Sequence, residues 1–265
     1  MTGFDPDSAL VRVVRPSPNH GERDDNKVPD SIILHYTGME TAEAALARLC
    51  DPAAEVSCHY VIGEDGEILQ LVPESRRAWH AGKSYWAGER DMNSTSIGIE
   101  LINGGHDFGS PAYLEAQIAA LVDLCRDIGS RHAIPATHIL AHSDVAPFRK
   151  KDPGEYFPWA RLFEAGVGHY VVPHPQGGDA PLKRGSSGEK VEALQGMLAI
   201  YGYDSAVSGL YGKKTEQLVA AFQRHFRPGL VDGKADQSTV STLKELLATR
   251  PREWVPKMPS AMGIA

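Results

Sequence analysis

The segment from Ala141 to Gly154 gathers one imidazole, two carboxylates and three adjacent cations: His142, Asp144, Arg149, Lys150, Lys151 and Asp152. Imidazole nitrogen and carboxylate oxygen suit a Zn²⁺ ion that takes three protein ligands and keeps one position for water. A loop that follows a strand is also where a rigid scaffold displays chemistry. A His near an Asp is by itself more often a solvated pair, so a further ligand has to come from elsewhere. His35 supplies it. It closes the apolar run Ser31-Ile-Ile-Leu-His35-Tyr36, much as His142 follows Ile139-Leu140. If both runs are strands, the two rings converge at one sheet edge. The oxygen ligand is either Asp152, presented by the turn Pro153-Gly154, or Asp144; spacing does not choose between them.

Glu100 is the other informative residue. In Thr95-Ser-Ile-Gly-Ile-Glu100-Leu-Ile102 it interrupts the alternation of Ile97, Ile99 and Leu101. A carboxylate in an apolar strand is costly to bury without compensation. It is therefore either an acid–base group or a structural carboxylate held by loop amides. Eleven His are too many to be all ligands. His20, His106, His132, His169, His174 and His225 fall in polar loops or on faces expected to be solvated. His59 and His138 alternate within strands and read equally well as hydrogen-bonded core residues.

The elements that must position these groups are legible from periodicity. Residues 1–29, rich in Pro, Asn and Asp, read as an extended arm. Strands are expected at 31–36, 58–62, 67–72, 95–102 and 137–140. Gly63-Glu-Asp-Gly66 reads as a hairpin turn between the second and third. A helix is expected from Thr41 to Leu49. Another runs from Pro111 to Gly129, with Leu114, Ile118, Leu121, Cys125 and Ile128 on its buried face and Gly129 at the C-cap. Arg76 to Trp86 reads as a loop, and Pro158 to Phe163 as a short closing helix. Residues 171–181 are rich in Pro and Gly and read as a linker across which few contacts pass. Beyond it come three helices: one opened by the capping-box spacing Ser186-Ser-Gly-Glu189, one at 215–226 and one at 238–247. The expected fold is α/β, a mixed central sheet flanked by helices at 1–170, with a second, smaller, independent three-helix domain at 182–249. The tail 250–265 is uninformative.

Bulk properties exclude several classes. The charge of −7 is concentrated in residues 1–181, with 15 basic against 26 acidic side chains, whereas 182–249 carry 9 against 7. That leaves no basic face for nucleic acid. Three widely spaced Cys argue against a disulfide framework and against Cys-bound zinc. No cationic start followed by an apolar run is present, and no apolar stretch of about 18 residues. The expectation is a cytoplasmic monomer without a membrane span; a periplasmic location is the alternative.

Several segments in order carry a resemblance. They are Ile33-Leu-His35-Tyr-Thr, His59-Tyr-Val-Ile, Asp65-Gly-Glu-Ile-Leu-Gln-Leu-Val-Pro-Glu74, Ala78-Trp-His-Ala-Gly82, Ser96-Ile-Gly-Ile-Glu100, and His142-Ser-Asp-Val-Ala-Pro with Lys150-Lys-Asp152-Pro-Gly154. Together, over roughly residues 14–165, they resemble the zinc-dependent N-acetylmuramoyl-L-alanine amidases of the AmpD/AmiD type, related to peptidoglycan recognition proteins. The later segment, from Leu182-Lys-Arg-Gly through Gly209-Leu-Tyr-Gly212 and Ala221-Phe222-Gln223 to Asp232-Gly233, is similar to the type 1 peptidoglycan-binding domain. The resemblance implies one Zn²⁺ on His35, His142 and Asp152, with Asp144 not a ligand. It implies catalytic roles for Glu100, as general base, and Lys150, at the oxyanion. The implied substrate is the amide joining N-acetylmuramic acid, or its 1,6-anhydro form, to L-alanine in peptidoglycan or muropeptides. Tyr36, Trp79, His80 and Arg149 are candidate substrate contacts. The alternative is a non-catalytic recognition protein, disfavoured because the ligand set, the Glu and the Lys are all kept. A metallopeptidase is disfavoured because His-Glu-x-x-His is missing.

Overall fold

The computed structural model describes residues 3–175, 177 and 180–251. Among these, eight strands form two sheets. They are β1 (Val13–Val14), β2 (His20–Gly21), β3 (Ser31–Tyr36), β4 (Tyr60–Ile62), β5 (Ile68–Gln70), β6 (Arg77–Ala78), β7 (Ser96–Leu101) and β8 (Ile139–Ala141). The main sheet has the order β1-β5-β4-β7-β3-β8, and β2 pairs with β6 alone. Only the β4–β5 hairpin is antiparallel within the main sheet. The fold is therefore the expected mixed α/β one. The helices are α1 (Ala42–Cys50), α2 (Met92–Thr95), α3 (Glu115–His132), α4 (His142–Val145), α5 (Trp159–Glu164), α6 (Glu189–Tyr201), α7 (Lys213–Phe226) and α8 (Gln237–Ala248).

Parallel strands read as near-continuous apolar runs because both faces are covered. Here Tyr60, Ile62, Ile97 and Ile99 face the side of α3 with Ile118, Leu121 and Cys125, as the helical spacing of those residues implies. Val61 and Leu69 face the other side, with Ala45 and Leu49 of α1. Thr41 starts α1 by accepting from Ala44 N at 3.2 Å, the usual N-cap economy.

Three features go beyond the expectation, each with a physical cause. Helix α3 runs later than the predicted Pro111–Gly129. Leu114 is its extended N-cap, 49% exposed, and Ala133, at φ 52°, takes the C-cap. Arg131 and His132 in its last turn both bond Glu74. That tertiary anchor carries the helix past Gly129. The capping box at 186–189 does not form. Gly188 is the N-cap of α6 and Ser186 Oγ instead accepts from Lys183 N at 3.1 Å. The N-terminal arm is clasped rather than loose. β1 extends the sheet, and the buried Arg23 donates to the carbonyls of Glu74, Asn93, Ser94 and Ser96.

The three-helix module does not pack as an isolated unit. Its apolar residues Val191, Leu198, Phe222 and Phe226 belong to the same continuous cluster as Ile32, Trp86 and Trp159. Within the predicted linker, His174 is strapped down. His174 N donates to Thr242 Oγ1 at 3.2 Å, and Ser238 Oγ donates to His174 O at 2.5 Å. Gln176, Gly178, Asp179 and residues 252–265, which include most of the expected tail, lie outside the described residues. No described helix is long and apolar enough to cross a membrane.

Candidate active site and metal centre

The carboxyl ends of β3, β7 and β8 come together, and this is the edge where open α/β sheets bind ligands. His35 and Glu100 are register partners on β3 and β7, and Val61 of β4 completes the row. Register partners share a face. The two groups therefore stand side by side on the face covered by α1. β8 lies on the far side of β3 and ends at Ala141, which puts His142 at the first position of α4.

His35, His142 and Asp152 are all buried and their ligand atoms converge. His35 Nδ1 lies 2.9 Å from His142 Nδ1 and 3.0 Å from Asp152 Oδ2; His142 Nδ1 is 2.8 Å from the same oxygen. The outer partners set the tautomers. Ser96 Oγ donates to the Met92 carbonyl, so it accepts from His80 Nε2 at 3.2 Å. His80 Nδ1 is then bare and accepts from His35 Nε2 at 3.0 Å. His142 Nε2 donates to the Ala81 carbonyl at 3.2 Å. In neutral rings both Nδ1 atoms are thus lone pairs, aimed at a carboxylate oxygen. Burial keeps the His35 ring neutral, pulling it down to about 4, with His142 adding to the effect. Burial would raise the Asp152 carboxyl, but His142 and His35 outweigh it and hold it well below the usual range. Three converging electron pairs with no proton between them fit a cation, and two nitrogens plus one oxygen fit zinc.

Glu100 faces the same cleft of about 430 Å³. Its Oε2 is buried and has no hydrogen-bond partner among the described residues. Burial pushes its carboxyl well above the usual range; Asp152 pushes the same way and Lys150 pulls it back. Such a perturbed, unsatisfied carboxyl in a cleft marks a functional candidate rather than a structural one. Lys150 and Lys151 both line the cleft with Asp152.

The substrate-contact candidates divide. Trp79 and Tyr36 line the cleft. Tyr36 Oη donates to His106 Nδ1 at 2.9 Å, and His106 Nε2 donates to Glu155 Oε2 at 3.0 Å. Burial, with Asp152 adding, raises the Tyr36 phenol to about 12. His80 also lines the cleft, but its ring sits over Gly98, where a Cβ would lie 2.4 Å from it. Both its nitrogens serve His35 and Ser96, so its place is behind His35. Arg149 is committed as well: Nε donates to the Lys83 carbonyl at 3.1 Å, and Nη2 to the carbonyls of Lys83 and Ala81. It clamps the loop that carries His80.

His106, His169 and His225, all expected in polar loops or on solvated faces, have other surroundings. His106 belongs to the cleft. The available signal was its place in the loop directly after β7, at the same sheet edge as Glu100. His225 and His169 are buried rather than solvated; His169 Nδ1 pairs with Tyr201 Oη at 3.0 Å. His59 is a hydrogen-bonded core residue, with Nδ1 accepting from Gly98 N at 2.9 Å.

Comparison with known proteins identifies two family matches and several relatives. Residues 25–155 match the N-acetylmuramoyl-L-alanine amidase family and residues 187–243 a peptidoglycan binding domain. The chain is 37% identical over 232 residues to the N-acetylmuramoyl-L-alanine amidase AmiD of Escherichia coli, covering 82% of this chain and 81% of the relative. It is 37% identical over 164 residues to the 1,6-anhydro-N-acetylmuramyl-L-alanine amidase AmpD of the same organism, covering 56% and 87%. Among solved structures, AmiD from E. coli in complex with anhydro-N-acetylmuramic acid-L-Ala-D-gamma-Glu-L-Lys superposes with a TM-score of 0.71 at 35% identity, covering 88% and 92%. AmpDh3 from Pseudomonas aeruginosa gives 0.68 at 29%, covering 94% and 98%.

Proposed function

We propose, for a chain that belongs to the N-acetylmuramoyl-L-alanine amidase family, that zinc held by His35, His142 and Asp152 serves hydrolysis of the amide between muramic acid and the L-alanine of a stem peptide. The convergence of two bare Nδ1 atoms on Asp152 Oδ2 is the observation that carries this reading. Zinc held there would lower the pKa of a bound water and polarise a carbonyl.

The chain's own residues do the rest. Glu100 takes the proton of the attacking water and passes it to the departing amine of L-alanine. Its raised carboxyl suits both halves of that transfer, since it can give the proton back. A cation in the triad would pull against burial and keep the base available before attack. Lys150 stabilises the negative charge that develops on the lactyl carbonyl oxygen. Tyr36 and Trp79 contact the substrate along the cleft wall. His80 and Arg149 position His35 and the Ala81–Lys83 loop. The substrate is a muropeptide or peptidoglycan bearing ordinary or 1,6-anhydro muramic acid. The relatives named for, or solved with, the anhydro form support its inclusion. The helical module binds the polymer.

The test is to measure zinc per chain and to follow anhydro-N-acetylmuramoyl tripeptide by mass spectrometry. One zinc and release of a peptide with a new L-alanine amino terminus are expected. Intact muropeptide in the presence of bound zinc would sink the reading and favour a recognition protein.

A further inference from the structure

Helix α7 and the turn after α6 reach into the catalytic loop. His225 is stacked between Trp159, with ring centroids 3.6 Å apart, and Phe226, at 3.7 Å. Its Nδ1 donates to Asp144 Oδ2 at 2.6 Å. Tyr203 Oη donates to Asp144 Oδ1 at 2.7 Å. The third donor is Ala141 N, on Oδ2 at 2.8 Å. Asp144 is buried, so these partners are what make its charge tolerable there. Two of the three come from the helical module.

Asp144 lies in the single turn of α4, which begins at the metal ligand His142. A helix this short has little stability of its own. What fixes its direction is the carboxylate that ties it to Ala141 at one end and to the module at the other. The far end of α4 is tied too: Tyr85 N donates to Val145 O at 2.8 Å. That strand of loop continues into Trp86, which packs on Gly202 of the module so closely that a Cβ there would lie 2.6 Å from the indole. Ala87 N donates to Gly202 O at 2.8 Å. The same loop carries the Ala81 carbonyl that orients His142. The module thus grips both supports of one ligand. A domain that only tethered polymer would need no buried donors aimed at a carboxylate beside that ligand.

We propose that the helical module positions the metal centre, with Tyr203 and His225 holding His142 in place through Asp144, so that turnover of small soluble muropeptides depends on the module. This rests on the assignment of zinc to His35, His142 and Asp152. Tyr203 and His225 are positioning residues; they touch neither substrate nor metal.

The test uses full-length Tyr203→Phe, which removes one oxygen and keeps the ring, together with Asp144→Asn and the double variant. All are assayed below the melting midpoint of the least stable. Zinc affinity is read by chelator competition, kcat and KM on anhydro-N-acetylmuramoyl tripeptide, and retention on sacculi by sedimentation. Tyr203→Phe is expected to weaken zinc binding and lower kcat by about tenfold each, with KM and sedimentation unchanged. In the Asp144→Asn background the same change should add little, since the two act as one unit. Unchanged zinc affinity and kcat, losses confined to sedimentation, or losses that add in the double variant would each overturn the proposal and leave the zinc assignment standing. Wild-type protein that binds no zinc would overturn both.

Discussion

Two buried aspartates eight positions apart, Asp144 and Asp152, have opposite surroundings. Asp144 is saturated by donors: a backbone amide, a phenol and an imidazole N–H. Asp152 is faced by two imidazole nitrogens whose protons are committed elsewhere, on His80 and on the Ala81 carbonyl. One carboxylate is met by donors within the protein; the other shares its cluster with two ring nitrogens, an arrangement that fits a cation. Residue type and spacing are nearly the same for both. What separates the two is where the neighbouring hydrogens point.

The sharpest way to break that comparison is to remove each carboxylate in turn. Asp152→Ala is expected to lose bound zinc and drop hydrolysis to background, while Asp144→Asn keeps one zinc per chain and loses about tenfold in kcat. Equal zinc loss in the two would erase the distinction. Next in size is Glu100→Gln, which leaves zinc in place and is expected to cut kcat about 100- to 10,000-fold, the usual range for an acid–base group. A variant with near-normal turnover would return Glu100 to a structural role. Lys150→Ala should cost about 100- to 1000-fold in kcat with zinc content unchanged; if Lys151→Ala costs more, the two lysines exchange roles. His80→Ala tests the layer behind the ligands, with zinc affinity expected to fall about 10- to 100-fold. An unchanged zinc dissociation constant would make His80 a substrate contact instead.

The smallest effect lies far from the cleft and concerns stability alone. Burial would raise the Glu74 carboxyl, yet hydrogen bonds from Arg131, Tyr60 and His132 hold it at about 2, against 4.5 for an ordinary Glu. A carboxyl lowered by folding contributes stability above its unfolded value and loses it as pH falls toward the folded one. Glu74→Gln should therefore cost on the order of 2 kcal/mol at pH 7. The gap to wild type should close between about pH 4.5 and 2. A gap that is constant with pH would show that the charge is not what Glu74 contributes.

Much of this was legible in the residue order. The run Ser31–Tyr36 marks β3 to the residue, because a strand buried on both faces leaves a nearly unbroken apolar signature. The Gly63–Gly66 turn gave the β4–β5 hairpin, with Gly66 at φ 85°. His35, His142 and Asp152 are each legible as candidates in residue type and spacing, and the structure brings the three together, though choosing Asp152 over Asp144 rests on family resemblance. The structure surrounds the two differently: donors face Asp144, and the two imidazoles face Asp152. Other features were invisible because they are tertiary. Helix α3 outlasts Gly129 only because Glu74, distant in sequence, holds Arg131 and His132. His225 lies on α7 beside Phe226, and no helical period reveals that Trp159 and Asp144 will cover it. The same blindness made the three-helix segment read as independent: its pattern shows apolar faces, and says nothing of Trp86 and Tyr203 closing a shared core.

The most direct measurement is an anomalous difference map, collected at the zinc absorption edge, from crystals of zinc-loaded protein. The expected result is one peak bonded to His35 Nδ1, His142 Nδ1 and Asp152 Oδ2, with Asp144 still held by Tyr203 and His225. A peak on Asp144, or a zinc-loaded, hydrolytically active crystal with no peak between the two histidines, would contradict the account.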